Sequence, residues 1–146
     1  MIEGGVYNLV IPLGRTLAAF LVGITLGIAG GWMGLTFNAL TGFPWPLTVH
    51  RNIYLAGIGL GAGAGAYLCW MNLGLRRPWI MVSFLAVLLG GIGGAYAGYT
   101  YGQSAQVSYL GRAHTINNMA HLGAAIGGAG VATILGIIND IRTQGR

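Results

Sequence analysis

The sequence predicts an all-α integral membrane protein, a bundle of four transmembrane helices, and two observations lead to that prediction. Hydrophobic residues make up 55% of the 146 residues and charged residues only 6%, whereas about a quarter of an average soluble domain is charged. Four apolar segments are also long enough to cross a bilayer, which takes about 20 helical residues. Because so few charges could not solvate a globule, we expect residues 1–146 to form a single transmembrane domain.

The first helix is expected over residues 16–37. Its apolar stretch is too long for a signal peptide and is not followed by an A-x-A cleavage motif, so we expect it to be retained. Gly23, Gly27 and Gly31 recur every four residues in this segment. Glycines at that spacing form a groove on one face of a helix, and such a groove lets a second helix approach closely within a membrane.

The second helix is expected over residues 52–71 and contains the run GIGLGAGAGA. Its five glycines alternate with other residues, at Gly57, Gly59, Gly61, Gly63 and Gly65. At about 100° per residue, the row 57, 61, 65 and the row 59, 63 lie on nearly opposite sides of the helix. Each glycine costs about 1 kcal/mol of helix propensity relative to alanine. We therefore expect this helix to pack closely against a neighbour on both sides.

The third and fourth helices are expected over residues 79–101 and 119–138, with further glycines four apart at Gly90, Gly94, Gly98, Gly123 and Gly127. The glycine row of helix 1 recurs in helix 3 at one constant offset, which aligns Gly27 with Gly94. Asn52, Gly57 and Gly61 recur in helix 4 at a nearly equal offset, which aligns Gly57 with Gly123. This pattern predicts two parallel-repeat helical hairpins, although glycine-rich segments also align by chance. We expect glycine-zipper packing, with more grooves than four helices need for one another.

The arginines predict the orientation of the bundle. With four spans, five arginines fall on the side of the chain termini and two on the other side: Arg15, Arg76, Arg77, Arg142 and Arg146 against Arg51 and Arg112. The positive-inside rule then places both termini in the cytoplasm, and we expect a prokaryotic cytoplasmic (inner) membrane. Arg76 and Arg77 are expected to contact lipid or a partner. Nucleic acid is not an expected partner, despite the net charge of +5.

The segment GIGLGAGAG resembles the first helix of the proteolipid subunits of rotary ATPases, and two hairpins in one chain are similar to the duplicated form of those subunits. The resemblance covers about a dozen residues. It implies a carboxylate in mid-membrane that carries the transported ion, but here the only acids, Glu3 and Asp140, lie near the chain ends. The match therefore indicates tight helix packing, without that ion-carrying chemistry.

Catalysis is not expected of this chain, because two acids distant from the histidines in sequence provide no acid–base set. The sequence also contains no phosphate-binding loop and no zinc-ligand spacing, so no metal site is expected. His50 and His114 are expected in loops as solvated or hydrogen-bonded groups. His121 is expected about one turn inside helix 4, above the small residues Ala124, Ala125, Gly128 and Ala132. It either bonds to a neighbouring helix or provides an axial ligand to a haem or a chlorophyll-type pigment.

Three functions remain open from the sequence. The favoured one is a small accessory subunit that packs other membrane-protein subunits and lipids in a respiratory or photosynthetic complex, as a hetero-complex rather than a homo-oligomer. The second is a homo-oligomeric channel or small-solute transporter, although such proteins usually contain polar residues along their path. The third is a pigment- or haem-binding membrane subunit that uses His121.

Overall fold

The computed structural model describes residues 3–42, 44–70, 77–104 and 112–144, and these residues form helices without any strand. The helices are α1 (Glu3–Thr41), α2 (Leu47–Trp70), α3 (Arg77–Ser104) and α4 (Arg112–Gln144). Each of the four is long and apolar enough to cross a membrane. The prediction of an all-helical protein with four candidate spans is therefore confirmed.

The helices extend beyond the apolar segments on which the predicted bounds rested. The first helix begins at Glu3 instead of residue 16 and contains Pro12. The fourth covers Arg112–Gln144 instead of 119–138. A helix does not need apolar side chains to continue, because its i to i−4 hydrogen bonds join backbone groups, whatever the polarity of the side chains. Pro78 likewise lies in the first turn of α3, where a missing N–H leaves no carbonyl without a donor.

The bundle is four-sided, with α2 and α4 facing each other across its shorter diagonal. The most extensive contacts join α1 to α2 and α3 to α4, and further contacts join α2 to α3, α1 to α4 and α2 to α4. Across the described ranges, α1 and α3 do not contact each other. Sequence neighbours run antiparallel, so one end of the bundle, here called the terminal end, holds the start of α1, the end of α2, the start of α3 and the end of α4. The opposite end is called the hairpin end.

The glycines of α2 contact a different helix on each side. Gly57, Gly61 and Gly65 face the backbone of α1, whereas Gly59 and Gly63 face the backbone of α3. A Cβ atom added at any of these five would lie closer than 3.0 Å to a backbone atom of the facing helix. Only glycine fits such separations, since real Cβ atoms essentially never approach so closely.

On α1 the closest approach to α2 occurs at Gly30. A Cβ there would lie closer than 3.0 Å to the carbonyl of Gly57, whereas Cβ atoms at Gly23 and Gly27 would find their nearest neighbours at 3.3 and 3.4 Å. Gly34, four residues after Gly30, faces the carbonyl oxygen of Ile53 at 3.0 Å from its notional Cβ. The row that begins at Gly30 therefore meets the α2 backbone most closely. The row Gly23, Gly27, Gly31 packs more loosely against that backbone, and Gly31 lies against the side chains of Ile58 and Tyr54.

The two hairpins repeat the same contacts. Gly30 faces Gly57 as Gly94 faces Gly123. These pairs define a correspondence between the hairpins, in which Gly30 of α1 matches Gly94 of α3 and Gly57 of α2 matches Gly123 of α4. The match of α2 with α4 is the one that the sequence pattern indicated. For α1 and α3 the pattern had aligned Gly27 with Gly94, because it paired the looser row of α1 with the tight row of α3.

The hydrogen bonds between the hairpins obey the same correspondence. The Tyr67 hydroxyl of α2 donates to the carbonyl oxygen of Ile80 in α3 at 3.3 Å. At the corresponding positions of α4 and α1, the hydroxyls of Thr133 and Thr16 are 2.9 Å apart. On the diagonal itself, Gly128 of α4 meets the backbone of Ala62 in α2, and these two positions match each other under the same alignment of α2 with α4.

Candidate functional site: a polar cleft between α1 and α4

His121 is held in a defined orientation on α4. Its Nδ1 lies 2.9 Å from the carbonyl oxygen of Asn117, one helical turn earlier. Because a carbonyl oxygen can only accept, Nδ1 carries the proton, and the Nε2 of the neutral ring has a free lone pair. Within the described part of the chain, Nε2 has no hydrogen-bond partner. The imidazole therefore presents a fixed, unused acceptor.

Tyr54 of α2 joins this arrangement from across the bundle. Its hydroxyl donates to Oδ1 of Asn117, and its ring meets the His121 ring edge-on, with centroids 6.3 Å apart and planes at 71°. With Oδ1 engaged, the amide N–H groups of Asn117 remain available as donors. One acceptor and one donor thus lie a single helical turn apart on α4.

These side chains line a cleft of about 630 Å³ between α1 and α4. The wall on α1 is apolar except for one indole, and the opposite wall is largely polar: Ile24, Ile28, Trp32 and Leu35 face Tyr54, Asn117, Asn118, His121 and Leu122. Small-molecule sites are typically about 300–1,000 Å³, mostly apolar, with a few placed polar groups. This cleft has that size and that distribution of groups.

The small residues that were expected to form an open surface below His121 are buried inside the bundle. Ala124 and Ala125 are fully buried and Ala132 is 2% exposed, while Gly128 lies against Ala62 of α2. The expected flat surface of small residues is therefore not accessible to a macrocycle on that side of the helix. A haem or chlorophyll-type pigment at His121 stays a prediction, and the free space beside His121 lies toward α1.

The other two histidines lie in helices, not in loops as predicted. His50 belongs to the first turn of α2 and His114 to the first turn of α4. Both segments are polar, but a polar first turn is compatible with a helix that leaves the membrane. The carbonyl oxygen of His50 accepts a hydrogen bond from Nδ2 of Asn38 at 3.1 Å, and neither histidine lines the cleft between α1 and α4.

A second polar cluster lies at the terminal end. The guanidinium carbon of Arg15 lies 5.6 Å from the Trp70 ring centroid. The indole N–H of Trp70 is buried without a partner, and Trp70 borders a cavity of about 30 Å³ together with Ser83 and Asp140. A cavity needs at least about 10–15 Å³ to hold one water molecule, so this one has room for a water. Of the predicted arginine pair, Arg76 lies outside the described residues and Arg77 begins α3.

The thirteen glycines proposed for packing all lie at contacts within the chain. A Cβ at each one would have atoms of a neighbouring helix within 4 Å, whereas Cβ atoms at Gly14, Gly93 and Gly130 would meet open space. The surplus of grooves expected from the sequence is therefore not found in those thirteen positions. The glycines that face outward are others, on α1, α3 and α4.

The structure adds Tyr54 and Asn117, which join His121. The tight contact of α1 is made by Gly30 and Gly34, two glycines that lie beside the row indicated by the sequence. Asn117 and His121 are four residues apart on one helix, which indicates a shared face, and Gly30 and Gly34 have the same spacing. Nothing in the sequence indicates Tyr54, because it lies 63 residues from Asn117 along the chain. Across the described residues, no cluster of three His, Cys, Asp or Glu could hold a metal ion.

No protein-family model matches this chain, and no curated protein or solved structure matches it either.

Proposed function

We propose that the chain is a small accessory subunit of a larger membrane complex of the respiratory or photosynthetic type, in a prokaryotic cytoplasmic membrane. The observation that supports this proposal is the position of Gly93 on α3 and Gly130 on α4, both exposed and facing open space. Small residues on a membrane helix let the backbone of a second helix approach closely. Because this chain does not cover them, a helix of another protein is the occupant that we propose.

The first hairpin has a matching surface. An apolar groove of about 620 Å³ follows the outer side of α1 and α2 and includes Ala29 and Ala64. In the alignment of the two hairpins, these two alanines correspond to Gly93 and Gly130. Each hairpin thus presents a surface of small side chains, here called its outer surface. Each outer surface suits a transmembrane helix that approaches to short distance.

A foreign partner fits these outer surfaces better than a second copy does. The two surfaces lie on opposite sides of the four-sided bundle, since α1–α2 and α3–α4 form opposite edges. Copies joined through both surfaces would form an open row instead of a closed ring, and open assembly leads to filaments. Partners of different sequence end that row, which supports a hetero-complex. Lipids would cover the remaining apolar exterior.

The finer features of the fold belong to the same proposal. The matching contacts of Gly30 with Gly57 and of Gly94 with Gly123 support an internal repeat of two hairpins packed as glycine zippers. The count of five arginines against two, assigned to the two sides from the sequence, supports termini in the cytoplasm. Arg76 and Arg77 would then contact anionic lipid or the rim of a partner there.

Affinity purification in mild detergent tests the proposal with a matched pair of variants. Gly93→Leu puts a large side chain on the outer surface of the second hairpin, and Gly14→Leu makes the same change at an equally open site outside both outer surfaces. We expect foreign subunits to copurify with the unmodified chain and with Gly14→Leu, and their yield to fall about tenfold or more with Gly93→Leu. Purification of a ring of identical chains would instead favour the channel or transporter.

A further inference from the structure

The hairpins meet along two lateral interfaces, here called seams: α2 with α3, and α1 with α4. The two seams differ at two corresponding positions. On the α2–α3 seam, Gly59 and Gly63 admit the backbone of α3 so closely that a Cβ at either would lie under 3.0 Å from it. The corresponding positions on α4 are Ala125 and Ala129. Their methyl groups occupy the space that the α3 backbone takes on the other seam. On α1 the residue that faces Ala125 is Gly23, whose notional Cβ would lie 3.7 Å from the Ala125 Cα, a looser approach than the one below 3.0 Å at Gly59 and Gly63.

The cleft opens on this wider seam, and a polar residue replaces an aliphatic one there. His121 corresponds to Leu55 of α2, whose side chain is 1% exposed in the core. On one seam a leucine borders about 280 Å³ of free space, and on the other an imidazole borders about 630 Å³. The two hairpins therefore differ at this place in two ways. The free space is larger beside α4, and a hydrogen-bonding side chain replaces an aliphatic one. Packing alone gives no reason for this combination.

The groups that line the cleft specify the chemistry of its ligand. In the neutral imidazole Nε2 can only accept, so a ligand that uses it presents an O–H or N–H proton, and the Asn117 amide can donate to a second oxygen. Ile24 and Ile28 form an apolar wall along the cleft, and Trp32 offers an aromatic face. The cleft is open on one side, so an apolar tail can extend into the bilayer.

We propose that this cleft binds an isoprenoid quinol, with its hydroxylated ring between His121, Asn117 and Trp32 and its tail along Ile24 and Ile28. One ring hydroxyl donates to Nε2 of His121, and an oxygen of the ring accepts from the Asn117 amide. The oxidised quinone has no hydroxyl proton, so its carbonyl would face the lone pair of Nε2 and bind less tightly. This inference concerns binding only and is independent of any subunit on the outer surfaces.

Other membrane molecules fit the lining less well. A phospholipid headgroup carries a phosphate, and among the described residues no arginine or lysine lines the cleft. A metal-bearing tetrapyrrole could use Nε2 as an axial ligand, but the small-residue surface below His121 is buried against α2. The pair of one acceptor and one donor matches two oxygens on a ring better than it matches a single metal ion.

Calorimetric titration of the full-length chain in detergent, under anaerobic conditions, tests the proposal with a short-tailed benzoquinol. We expect the quinol to bind the unmodified chain saturably. The corresponding quinone should bind the unmodified chain about tenfold more weakly, and the quinol should bind His121→Ala about tenfold more weakly. Each of these changes removes one hydrogen bond in an apolar site. His50→Ala is the control, because His50 lies near the same end of the bundle but outside the cleft. It should bind as the unmodified chain does.

A second variant keeps the test decisive if His121→Ala unfolds. Ile28 is 45% exposed and lines the cleft without any hydrogen bond, so Ile28→Trp should fill the cleft and abolish binding while the fold persists. The proposal is overturned if the unmodified chain shows no saturable binding, if quinol and quinone bind equally, or if Ile28→Trp has no effect. A coloured tetrapyrrole that copurifies and is lost with His121→Ala would also overturn it.

Discussion

At the scale of single residues, the space above each glycine decides whether that glycine is required. α4 contains both extremes within two turns. A Cβ at Gly136 would overlap the ring of Trp70, while a Cβ at Gly130 would meet nothing within 4 Å. Trp70 itself is 7% exposed and lies in the core, so its ring has little room to move. The same residue type is therefore indispensable at one position and replaceable at the other.

Gly136→Ala should destabilise the fold, and Gly130→Ala should not. The added methyl group at Gly136 forces Trp70 out of its place, and overpacking of this kind costs about 1–3 kcal/mol. At Gly130 the same change relieves the poor helix propensity of glycine and should stabilise by up to about 1 kcal/mol. Thermal unfolding in detergent, followed by circular dichroism, measures both. Equal melting temperatures for the two variants would show that the Trp70 contact does not constrain the bundle.

The polar cleft shows which parts of a site a sequence can reveal. His121 stood out because it is a histidine inside an apolar helix, and Asn117 could have been found from its spacing of four residues. Tyr54 could not, because its bond to Asn117 depends on how α2 and α4 approach each other across the bundle. The cleft could not be predicted from the sequence either. Its width depends on Ala125 being larger than Gly59, and the sequence alone does not show that these two positions correspond.

At the scale of elements, α2 and α4 each meet a hairpin partner through glycines in the same register. Gly61 faces the carbonyl of Leu26, and Gly127 faces that of Gly90. The alternation of glycines in α2 indicated contacts on two sides, and the structure has α1 on one side and α3 on the other. Helix bounds were harder to predict, since hydropathy marks the membrane-embedded part of α1 and not the point at which its backbone hydrogen bonds end.

Gly61→Leu and Gly127→Leu should have similar and severe effects, because they introduce the same side chain at corresponding contacts. A leucine at either position meets the backbone of the neighbouring helix, so we expect each variant to lose more than about 3 kcal/mol of stability or to fail to fold as a bundle. Helix content should remain, since each span still inserts by its own hydropathy. Size-exclusion chromatography and circular dichroism in detergent measure the two effects separately.

The control for this pair is Gly130→Leu, which lies on the same helix as Gly127 but faces open space. When no partner is present, it should elute as the unmodified chain does and melt at no lower temperature. If Gly61→Leu were severe and Gly127→Leu mild, the two hairpins would not be equivalent in energy. If both were mild, the close contacts would contribute little to the bundle.

At the scale of the whole molecule, the chain is two hairpins that meet along three lines. The α2–α3 seam has Tyr67 and Ile80, the α1–α4 seam has Thr16 and Thr133, and the diagonal has Tyr54 with Asn117. Across the described residues no charged side chain is buried in this interface. Close packing and a few hydrogen bonds therefore hold the hairpins together, as they do between separate helices in a membrane.

Two half-chains, 1–74 and 75–146, should consequently assemble into the bundle when they are produced together in one membrane. The cut falls in the α2–α3 connection, and each half retains a complete hairpin with its own glycine contacts. Tagging one half should recover the other in roughly equal amount, because the interface is formed by side chains and backbone distant from the cut. Copurification in mild detergent measures this.

A leucine at Gly63 distinguishes specific assembly from mere coexistence in one detergent micelle. Gly63 faces Leu88 across the α2–α3 seam, and the atoms nearest its notional Cβ belong to α3 and not to α1, its partner in the same hairpin. Gly63→Leu in the first half should therefore leave that hairpin intact and reduce recovery of the second half by about tenfold. Undiminished recovery would mean that the hairpins associate without the seam described above. The difference between the Gly59–Gly63 and Ala125–Ala129 seams, and with it the proposed quinol site, would then lose its physical basis.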